Sequence, residues 1–240
     1  MIDTILMTVV PVITVLNGTR VTNATGFFFR RAERLFLVTS RHVFFDEPSG
    51  HFPSSVEIEL HLDADDLTRT VVISVPLFRQ GLSLWRHARD ATGPVDVAAI
   101  EIDLRVLPES AFFHVLTPAH LPDYTESLEI GTPLLIVGFP LGFYDVVHRL
   151  PVARQATVAS AFGVRFQKQG YFLTDARTHR GISGAPVVMR VRGGADELMP
   201  WKLVGIHSTR MDMGTRDAGV DEALGLNCAW YADTLMALTK

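Results

Sequence analysis

The sequence predicts an all-β protein, either a barrel or a sandwich, and three observations lead to this prediction. Short runs of β-branched and aromatic residues recur along the 240 residues, separated by turn residues. Long amphipathic helical periods are missing between these runs, which disfavours a doubly wound α/β fold. Hydrophobic residues make up 48% of the chain, enough to fill the core of one large domain or two small ones. The runs are GFFFR, RLFLVTS, SVEIELHL, RTVVISV, DVAAIEI, PLLIVGF, ARQATVAS, GYFLT, APVVMRV, KLVGIHS and LGLNCAWY.

The segments outside these runs also fit an all-β fold. Residues 5–16 are apolar, but Asp3 precedes them and no Lys or Arg does, so we predict a buried first strand rather than a signal sequence. Residues 105–132 contain three prolines and are predicted to connect two β-units. Leu235 and Leu238 are spaced for one face of a helix, which predicts a short helix at the C-terminal end.

Charge and cysteine content narrow the partners that we expect. The 22 Lys and Arg are scattered and the net charge is −4, so no nucleic acid is expected as a partner. The apolar run of residues 5–16 is too short to span a bilayer and is interrupted by Pro11, so no membrane is expected either. The single cysteine, Cys228, cannot form an intramolecular disulfide and fits a reducing compartment, so we expect a cytoplasmic protein. Because the nine histidines show no ligand spacing, we also expect no metal and no cofactor.

Three segments carry the residue types that nucleophilic catalysis needs. Ser183 lies between Gly181 and Gly184 in HRGISGAPVV, where the glycines allow a bend that points two N–H groups at one spot. His42 follows the apolar run RLFLVTS, and Asp96 opens the run DVAAIEI. Taken singly, a histidine, a turn aspartate or a serine in a Gly-rich turn is more often structural.

Together, and in the chain order His, Asp, Ser, these segments resemble the trypsin-like serine peptidases of the chymotrypsin fold. TSRHV is similar to the family's T-x-x-H-V strand end, DVA to its D-x-A strand, and GISGAP to its G-x-S-G-x-P turn. The resemblance runs from about Gly26 in TGFFF to the final helix. LLIVGFPLG, FLTDARTHRGISGAPV and the lack of disulfides are most similar to bacterial HtrA peptidases and glutamyl endopeptidases.

The resemblance implies a fold and a division of the chain. We expect two six-stranded antiparallel β-barrels with a short C-terminal helix. Residues 1–115 would form the first barrel, which carries His42 and Asp96, and residues 116–240 the second, which carries Ser183. The implied activity is that of a serine endopeptidase acting on proteins or peptides, and the resemblance implies nothing about oligomeric state.

The resemblance also implies a role for each candidate residue. Ser183 would be the nucleophile, His42 the general base and then the general acid, and Asp96 the residue that fixes the histidine tautomer. The backbone N–H groups of Gly181 and Ser183 would form the oxyanion hole. Ile182 stands where digestive members have an aspartate that pairs with a new N-terminus, so activation by zymogen cleavage is not expected.

A specificity pocket is implied by residues before the nucleophile and on a later strand. Thr178 and His207 match a threonine and a histidine that hold the substrate carboxylate in glutamyl endopeptidases, and Arg177 stands where trypsin has its pocket aspartate. We therefore expect Arg177, Thr178, His207 and Ser208 to bind substrate, with a preference for Glu, or for Asp or Gln, on the acyl side. The alternative is that His207 is a core histidine and Arg177 extends to solvent.

A different class of function stays open at this point. The chain could be a catalytically silent or partner-activated module that serves as a binding or regulatory effector, because a fold does not decide activity. A metal hydrolase is disfavoured by the histidine spacing. Cys228 is disfavoured as a nucleophile because GLNCAWY predicts a buried strand, where cysteine packs as a small apolar group.

Overall fold

The computed structural model describes residues 2–123, 128–191, 198–211 and 224–240. Within these ranges the chain forms fifteen β-strands, two short α-helices and five 3-10 helices. The strands are β1 Val9–Leu16, β2 Thr19–Arg31, β3 Arg34–Thr39, β4 Ser55–His61, β5 Thr70–Pro76, β6 Phe78–Arg79, β7 Leu82–Ser83, β8 Trp85–Asp90, β9 Gly93–Ile102, β10 Pro133–Gly138, β11 Val152–Val158, β12 Tyr171–Asp175, β13 Pro186–Arg190, β14 Trp201–Arg210 and β15 Leu226–Tyr231. The α-helices are α1 Arg41–Phe44 and α2 Thr234–Leu238, and the 3-10 helices are Thr4–Thr8, Leu104–Val106, Pro118–His120, Pro140–Gly142 and Phe166–Lys168.

The first β-unit is an antiparallel sheet of seven strands in the order β5-β4-β1-β2-β3-β9-β8. Its central strand β2 contains three consecutive phenylalanines that are fully buried. Successive side chains of a strand point to opposite faces. Accordingly, Phe27 and Phe29 belong to one core cluster and Phe28 to another. The run of phenylalanines therefore marks a strand that is covered on both faces.

The second β-unit is a closed barrel of six antiparallel strands in the order β10-β11-β12-β15-β14-β13. This confirms the predicted all-β architecture with a six-stranded barrel. The first unit differs in detail, because it has seven strands and the described hydrogen bonding ends at β5 and β8. The short hairpin of β6 and β7 lies between these two end strands along the chain.

The two units share one apolar core. Phe36, Val38 and Val97 from the first unit lie in the same cluster as Leu203 and Trp230 from the barrel. The predicted C-terminal helix is present as α2, and its two leucines are buried in this shared core. The helix thereby covers the junction of the units, which we call the seam. Among the described residues, no helix is both long and apolar enough to cross a membrane.

The segments outside the strands differ in part from the predictions. The predicted first strand begins only at Val9, because residues Thr4–Thr8 form a 3-10 helix that Asp3 caps by accepting the Ile5 N–H. Of the predicted connection, residues 105–123 and 128–132 lie within the described ranges. Leu116 pairs with Phe29 of β2, so part of the connection extends the first sheet. The division at residues 115 and 116 stays a prediction.

Candidate active site

His42 and Asp96 are in direct contact within the first β-unit, beside the seam. His42 lies in the single turn of α1, directly after β3, and Asp96 is the fourth residue of β9, on which α1 packs. The His42 backbone N–H donates to Asp96 Oδ1 at 2.9 Å, and Nδ1 of the ring lies 2.7 Å from Asp96 Oδ2. A carboxylate accepts from Nδ1–H, so this contact places the proton on Nδ1 and leaves Nε2 with a lone pair.

Asp96 also accepts a third hydrogen bond, from Ser208, which we did not predict from the sequence. The hydroxyl of Ser208, near the end of β14, donates to Asp96 Oδ2. We predicted Ser208 as a substrate-binding residue, but its hydroxyl is committed to Asp96. No local pattern marks such a serine, because its partner is 112 residues away in the chain. The Asp96 carboxylate thus accepts from two groups of His42 and one of Ser208.

Asp96 governs the protonation of His42. Burial lowers the pKa of the imidazole, but the hydrogen bond and charge of Asp96, together with the charge of Asp46, outweigh burial. The net result is a pKa above the ordinary value of 6.5. The neighbouring His207 shows the opposite behaviour, since burial and the charge of His42 lower its pKa to about 3. His42 is therefore the ring of this pair that exchanges a proton near neutral pH.

The turn of residues 179–185, which we call the nucleophile turn after the role predicted for Ser183, depends on its two glycines. Gly181 and Gly184 have φ angles of +90° and +86°, a region that strongly favours glycine. A Cβ on Gly181 would lie 2.6 Å from the Phe139 carbonyl oxygen, and one on Gly184 would lie 2.2 Å from Thr39 Oγ1. The turn therefore approaches both the barrel and the first sheet more closely than a side chain would allow.

Two N–H groups of this turn are left available. The Arg180 carbonyl accepts from the Leu141 N–H at 2.5 Å, so the N–H of Gly181, on the other side of that peptide, points away from Leu141. Among the described residues, neither the Gly181 nor the Ser183 N–H donates to a backbone carbonyl. Free donors of this kind can stabilise an oxygen that acquires negative charge.

The hydroxyl of Ser183 lies near His42 and Asp96 but is hydrogen-bonded to Ser208. It donates to the Ser208 carbonyl at 3.1 Å, and the described residues show no hydrogen bond between Ser183 and His42. Ser208 therefore connects the two halves of the site, since its own hydroxyl donates to Asp96 and its carbonyl accepts from Ser183. The structure brings all three predicted residues to one end of the seam.

Thr25, in β2, fixes the nucleophile turn and was not predicted as a site residue. It is completely buried. Its hydroxyl donates to the Gly181 carbonyl at 2.8 Å and accepts from the Phe139 N–H at 3.1 Å. Its own N–H donates to the Ser183 carbonyl at 3.0 Å, and its carbonyl accepts from Thr39 Oγ1 at 2.8 Å. Thr25 thus donates to the carbonyls of both Gly181 and Ser183, the residues on either side of Ile182.

A small cavity of about 190 Å³ lies beside the nucleophile turn. Two of the four predicted substrate-binding residues, Arg177 and Thr178, line it. The titratable groups among its described lining residues are Arg177, His179 and Arg210, and none of these is acidic. Thr178 is buried and its hydroxyl donates to Asn227 Oδ1, so the cavity meets the lone pairs of this hydroxyl rather than its proton.

The other two predicted substrate-binding residues do not line this cavity. His207 is 2% exposed, and its Nδ1 is buried without a hydrogen-bond partner. Its backbone joins the nucleophile turn to β14, because its carbonyl accepts from the Gly184 N–H and its N–H donates to the Ala185 carbonyl. Ser208 contacts Asp96 and Ser183, as described above.

Other candidate sites lie away from this network. A larger cavity of about 920 Å³ lies along the seam between β8 and β15, and none of the predicted site residues lines it. In the described ranges, no three His, Cys, Asp or Glu residues are grouped to hold a metal ion. Cys228 is free and buried, and burial raises the pKa of its thiol despite hydrogen bonds from Thr209 and Tyr171.

Comparisons with known proteins agree with the all-β fold. A family model described as a trypsin-like peptidase domain matches residues 24–194. A serine endoprotease from Yersinia pestis is similar in structure, with a TM-score of 0.57 at 15% identity; the match covers 98% of this chain and 62% of that one. The HtrA-type protease AlgW, solved with a tripeptide, has the same score and identity and is covered to 59%. This chain therefore spans about three fifths of each of these structures. No curated protein matches it in sequence.

The two histidines should titrate far apart. At pH values between about 3 and 6.5 we expect a protonated His42 and a neutral His207, because Asp96 stabilises the imidazolium of the first and burial destabilises that of the second. NMR titration of the ring protons measures both. Asp96→Asn should lower the pKa of His42, and an unchanged His42 titration in that variant would contradict the assigned contact.

Loss of the Thr25 hydroxyl should destabilise the seam. Thr25→Val keeps the shape of the side chain but leaves the Gly181 carbonyl and the Phe139 N–H buried without partners, at a cost of about 1–3 kcal/mol. Urea unfolding monitored by tryptophan fluorescence measures the change. The control is Thr25→Ser, which retains the hydroxyl and should stay closer to wild type. Equal unfolding midpoints for Thr25→Val and wild type would contradict this role.

Proposed function

The chain belongs to the trypsin-like peptidase family, and we propose that it is a serine endopeptidase whose catalytic residues are Ser183, His42 and Asp96. The observation that carries this proposal is the double contact of Asp96 with His42, on the same end of the seam as Ser183. The contact presents Nε2 of His42 as a base, and the adjoining turn carries two free N–H donors. Base, orienting carboxylate, hydroxyl and oxyanion donors are the parts that acyl transfer requires.

In the first step, Ser183 Oγ attacks the carbonyl carbon of the cleaved bond while His42 Nε2 takes the hydroxyl proton. Asp96 accepts from Nδ1–H throughout and stabilises the imidazolium that forms. The Gly181 and Ser183 N–H groups hold the oxygen of the tetrahedral intermediate, where loss of one donor typically costs about 2.7–4 kcal/mol. His42 then donates its proton to the leaving amine, and an ester between Ser183 and the acyl group remains. Water, deprotonated by His42, hydrolyses that ester.

The first step requires the Ser183 hydroxyl to leave the Ser208 carbonyl. A rotation about the Cα–Cβ bond of serine is enough to redirect its hydroxyl from one staggered position to another. The observed contact is therefore a resting position that is compatible with turnover. The same contact is also compatible with the second candidate, a silent or partner-activated module. In such a module the Ser183 hydroxyl would stay on the Ser208 carbonyl until a partner binds.

For the acyl side of the cleaved bond we propose a preference for Glu, with Gln as second choice. Arg177 and Arg210 line the cavity beside the nucleophile turn, and neither forms an ion pair with a described residue. His207 contributes no positive charge near neutral pH, because its pKa lies near 3. Since the Thr178 hydroxyl already donates to Asn227, the attraction for a carboxylate has to come from the two arginines.

The partners that follow are proteins or peptides with an acidic residue before the cleaved bond. A cytoplasmic location, expected from the single cysteine, stays a proposal, as do the absence of a nucleic-acid partner and of a membrane partner.

Ser183→Ala should lower the rate of peptide hydrolysis by about 10⁶-fold, the usual loss when the nucleophile of such a triad is removed. It should also abolish labelling by an organophosphonate, which mass spectrometry detects as an adduct on Ser183. Asp96→Asn should retain the fold but lower kcat on the order of 10⁴-fold, because it disturbs the histidine tautomer. Hydrolysis that survives in Ser183→Ala would show that the nucleophile is another residue. Labelling of the wild type only after a partner is added would favour the partner-activated module.

Selectivity should depend on Arg177. Peptides that differ only in the acyl-side residue should be cleaved fastest with Glu, then Gln, and slowest with Lys or Phe, as measured by kcat/KM. Arg177→Gln should lower the Glu-to-Gln ratio by about 1.4-fold to fivefold, the range for an exposed charge pair of about 0.2–1 kcal/mol. Arg105→Gln, a change in an 88% exposed arginine outside the cavity, is the matched control. Preferred cleavage after Lys, Arg or Phe would refute the acidic preference.

A further inference from the structure

Leu141 combines two unfavourable features at a position next to the proposed oxyanion hole. It adopts φ 55° and ψ 20°, in the left-handed region where bulky side chains are rare. Its side chain is 68% exposed, so an apolar group is presented to water. Backbone strain in a bulky residue persists where the surrounding structure imposes it, and such residues cluster at ligand-binding positions.

The surrounding contacts hold Leu141 against the nucleophile turn. Its N–H donates to the Arg180 carbonyl, and its nitrogen lies 3.1 Å from the position that a Cβ on Gly181 would occupy. The next residue, Gly142, donates to the Phe139 carbonyl and packs near Asn23 of β2. The Leu141 backbone is therefore fixed on two sides, and only its side chain is free.

Further apolar residues on the same loop are also exposed. Phe143, Val146 and Val147 are exposed by 67%, 68% and 57%. We call Leu141 and these three residues the apolar loop. Isolated exposed apolar side chains are ordinary, whereas several exposed on one short loop are typical of a binding surface.

The apolar loop is anchored rather than loose. Asp145 and Leu150 form an antiparallel bridge at the base of its tip. Arg149 pairs with Glu59 of β4 at 3.5 Å, and the His148 carbonyl lies 2.7 Å from Nε2 of His61. These contacts join the loop to the first sheet, so it can present its side chains without a large ordering cost.

The position of the apolar loop indicates which part of a substrate it contacts. The acyl-side cavity is lined by residues 176–179 and by β14 and β15, and no residue of the apolar loop lines it. In this proposal the acyl-side residue occupies the cavity and its carbonyl oxygen lies at the Gly181 and Ser183 N–H groups. The leaving nitrogen is bonded to the carbonyl carbon on the side away from the acyl-side Cα. The chain beyond the cleaved bond therefore leaves on the side away from that cavity. Leu141, in contact with the Arg180–Gly181 peptide, lies next to that exit.

We propose that Leu141, supported by Phe143, binds an apolar side chain in the first residue or residues on the leaving-group side of the cleaved bond. This inference rests on the proposed peptidase function and adds a second specificity determinant to it. The substrate class becomes a peptide with an acidic residue before the cleaved bond and an apolar residue after it.

Acyl transfer tests the leaving-group side by itself. The acyl-enzyme is formed from a peptide ester with the acyl-side residue that the enzyme cleaves best, and leucinamide or glycinamide is added to compete with water. The amine nitrogen attacks the ester carbon and gives its proton to His42, which returns it to Ser183 Oγ as the ester bond breaks and the amide forms. The ratio of amide to acid product, measured by liquid chromatography, reports amine binding.

We expect the wild type to use leucinamide at least about fivefold better than glycinamide, as partial burial of one leucine side chain predicts. Leu141→Ser should reduce this preference to below about twofold. Leu82→Ser changes a 72% exposed leucine on β7 and should leave it unchanged. Equal use of the two amines by the wild type, or a preference that survives Leu141→Ser, would overturn the inference while leaving the peptidase proposal intact. If no acyl-enzyme forms, both proposals fail.

A second variant separates binding from packing. Leu141→Gly removes the side chain and suits the left-handed backbone, so the thermal midpoint should equal or exceed that of wild type while the leucinamide preference is lost. A lower midpoint in Leu141→Gly would show that the leucine is retained for packing, and would overturn its role in binding.

Discussion

The geometry of the site depends on the hydrogen bond from the Thr25 hydroxyl to the Gly181 carbonyl, across the seam between the two β-units. Neither unit is a complete site, since the first supplies His42 and Asp96 and the barrel supplies Ser183. The proposed proton transfer requires the relative position of these residues to be set to within about 0.5 Å. A buried hydroxyl that both donates and accepts achieves this, because any displacement leaves buried polar groups unpaired.

The seam is held by polar contacts as well as by apolar packing, and the two have different effects. The shared core around Phe36 and Leu203 provides most of the attraction between the units but tolerates small shifts. The hydrogen bonds of Thr25, and the hydroxyl of Ser208 on Asp96, are directional. Packing therefore keeps the units together, and the polar contacts decide where His42, Asp96 and Ser183 lie.

Features encoded by neighbouring residues could be predicted from the sequence, and features that depend on distant partners could not. The glycines around Ser183, the strand containing Asp96 and the helix at Leu235 follow from local patterns. Thr25 was not predicted as a site residue, and Ser208 was predicted only as a substrate-binding residue, because their partners are 156 and 112 residues away. Strand β8 was not predicted because WRHARD, at the end of the sheet, buries only its tryptophan and shows no alternation. The one-turn helix that carries His42 is too short to produce a helical period.

Gly184 limits how this protein can change over evolutionary time. A Cβ at this position would lie within 3 Å of three groups of the first sheet, Thr39 Oγ1, the Thr25 carbonyl and the Ser40 N–H. Two of these are backbone atoms, so no single compensating side-chain change makes room. Each β-unit can accumulate substitutions in its own core, but a replacement of Gly184 requires both backbones to move at once. We therefore expect Gly184 to diverge slowly and to be among the last positions to differ between descendants of a common ancestor.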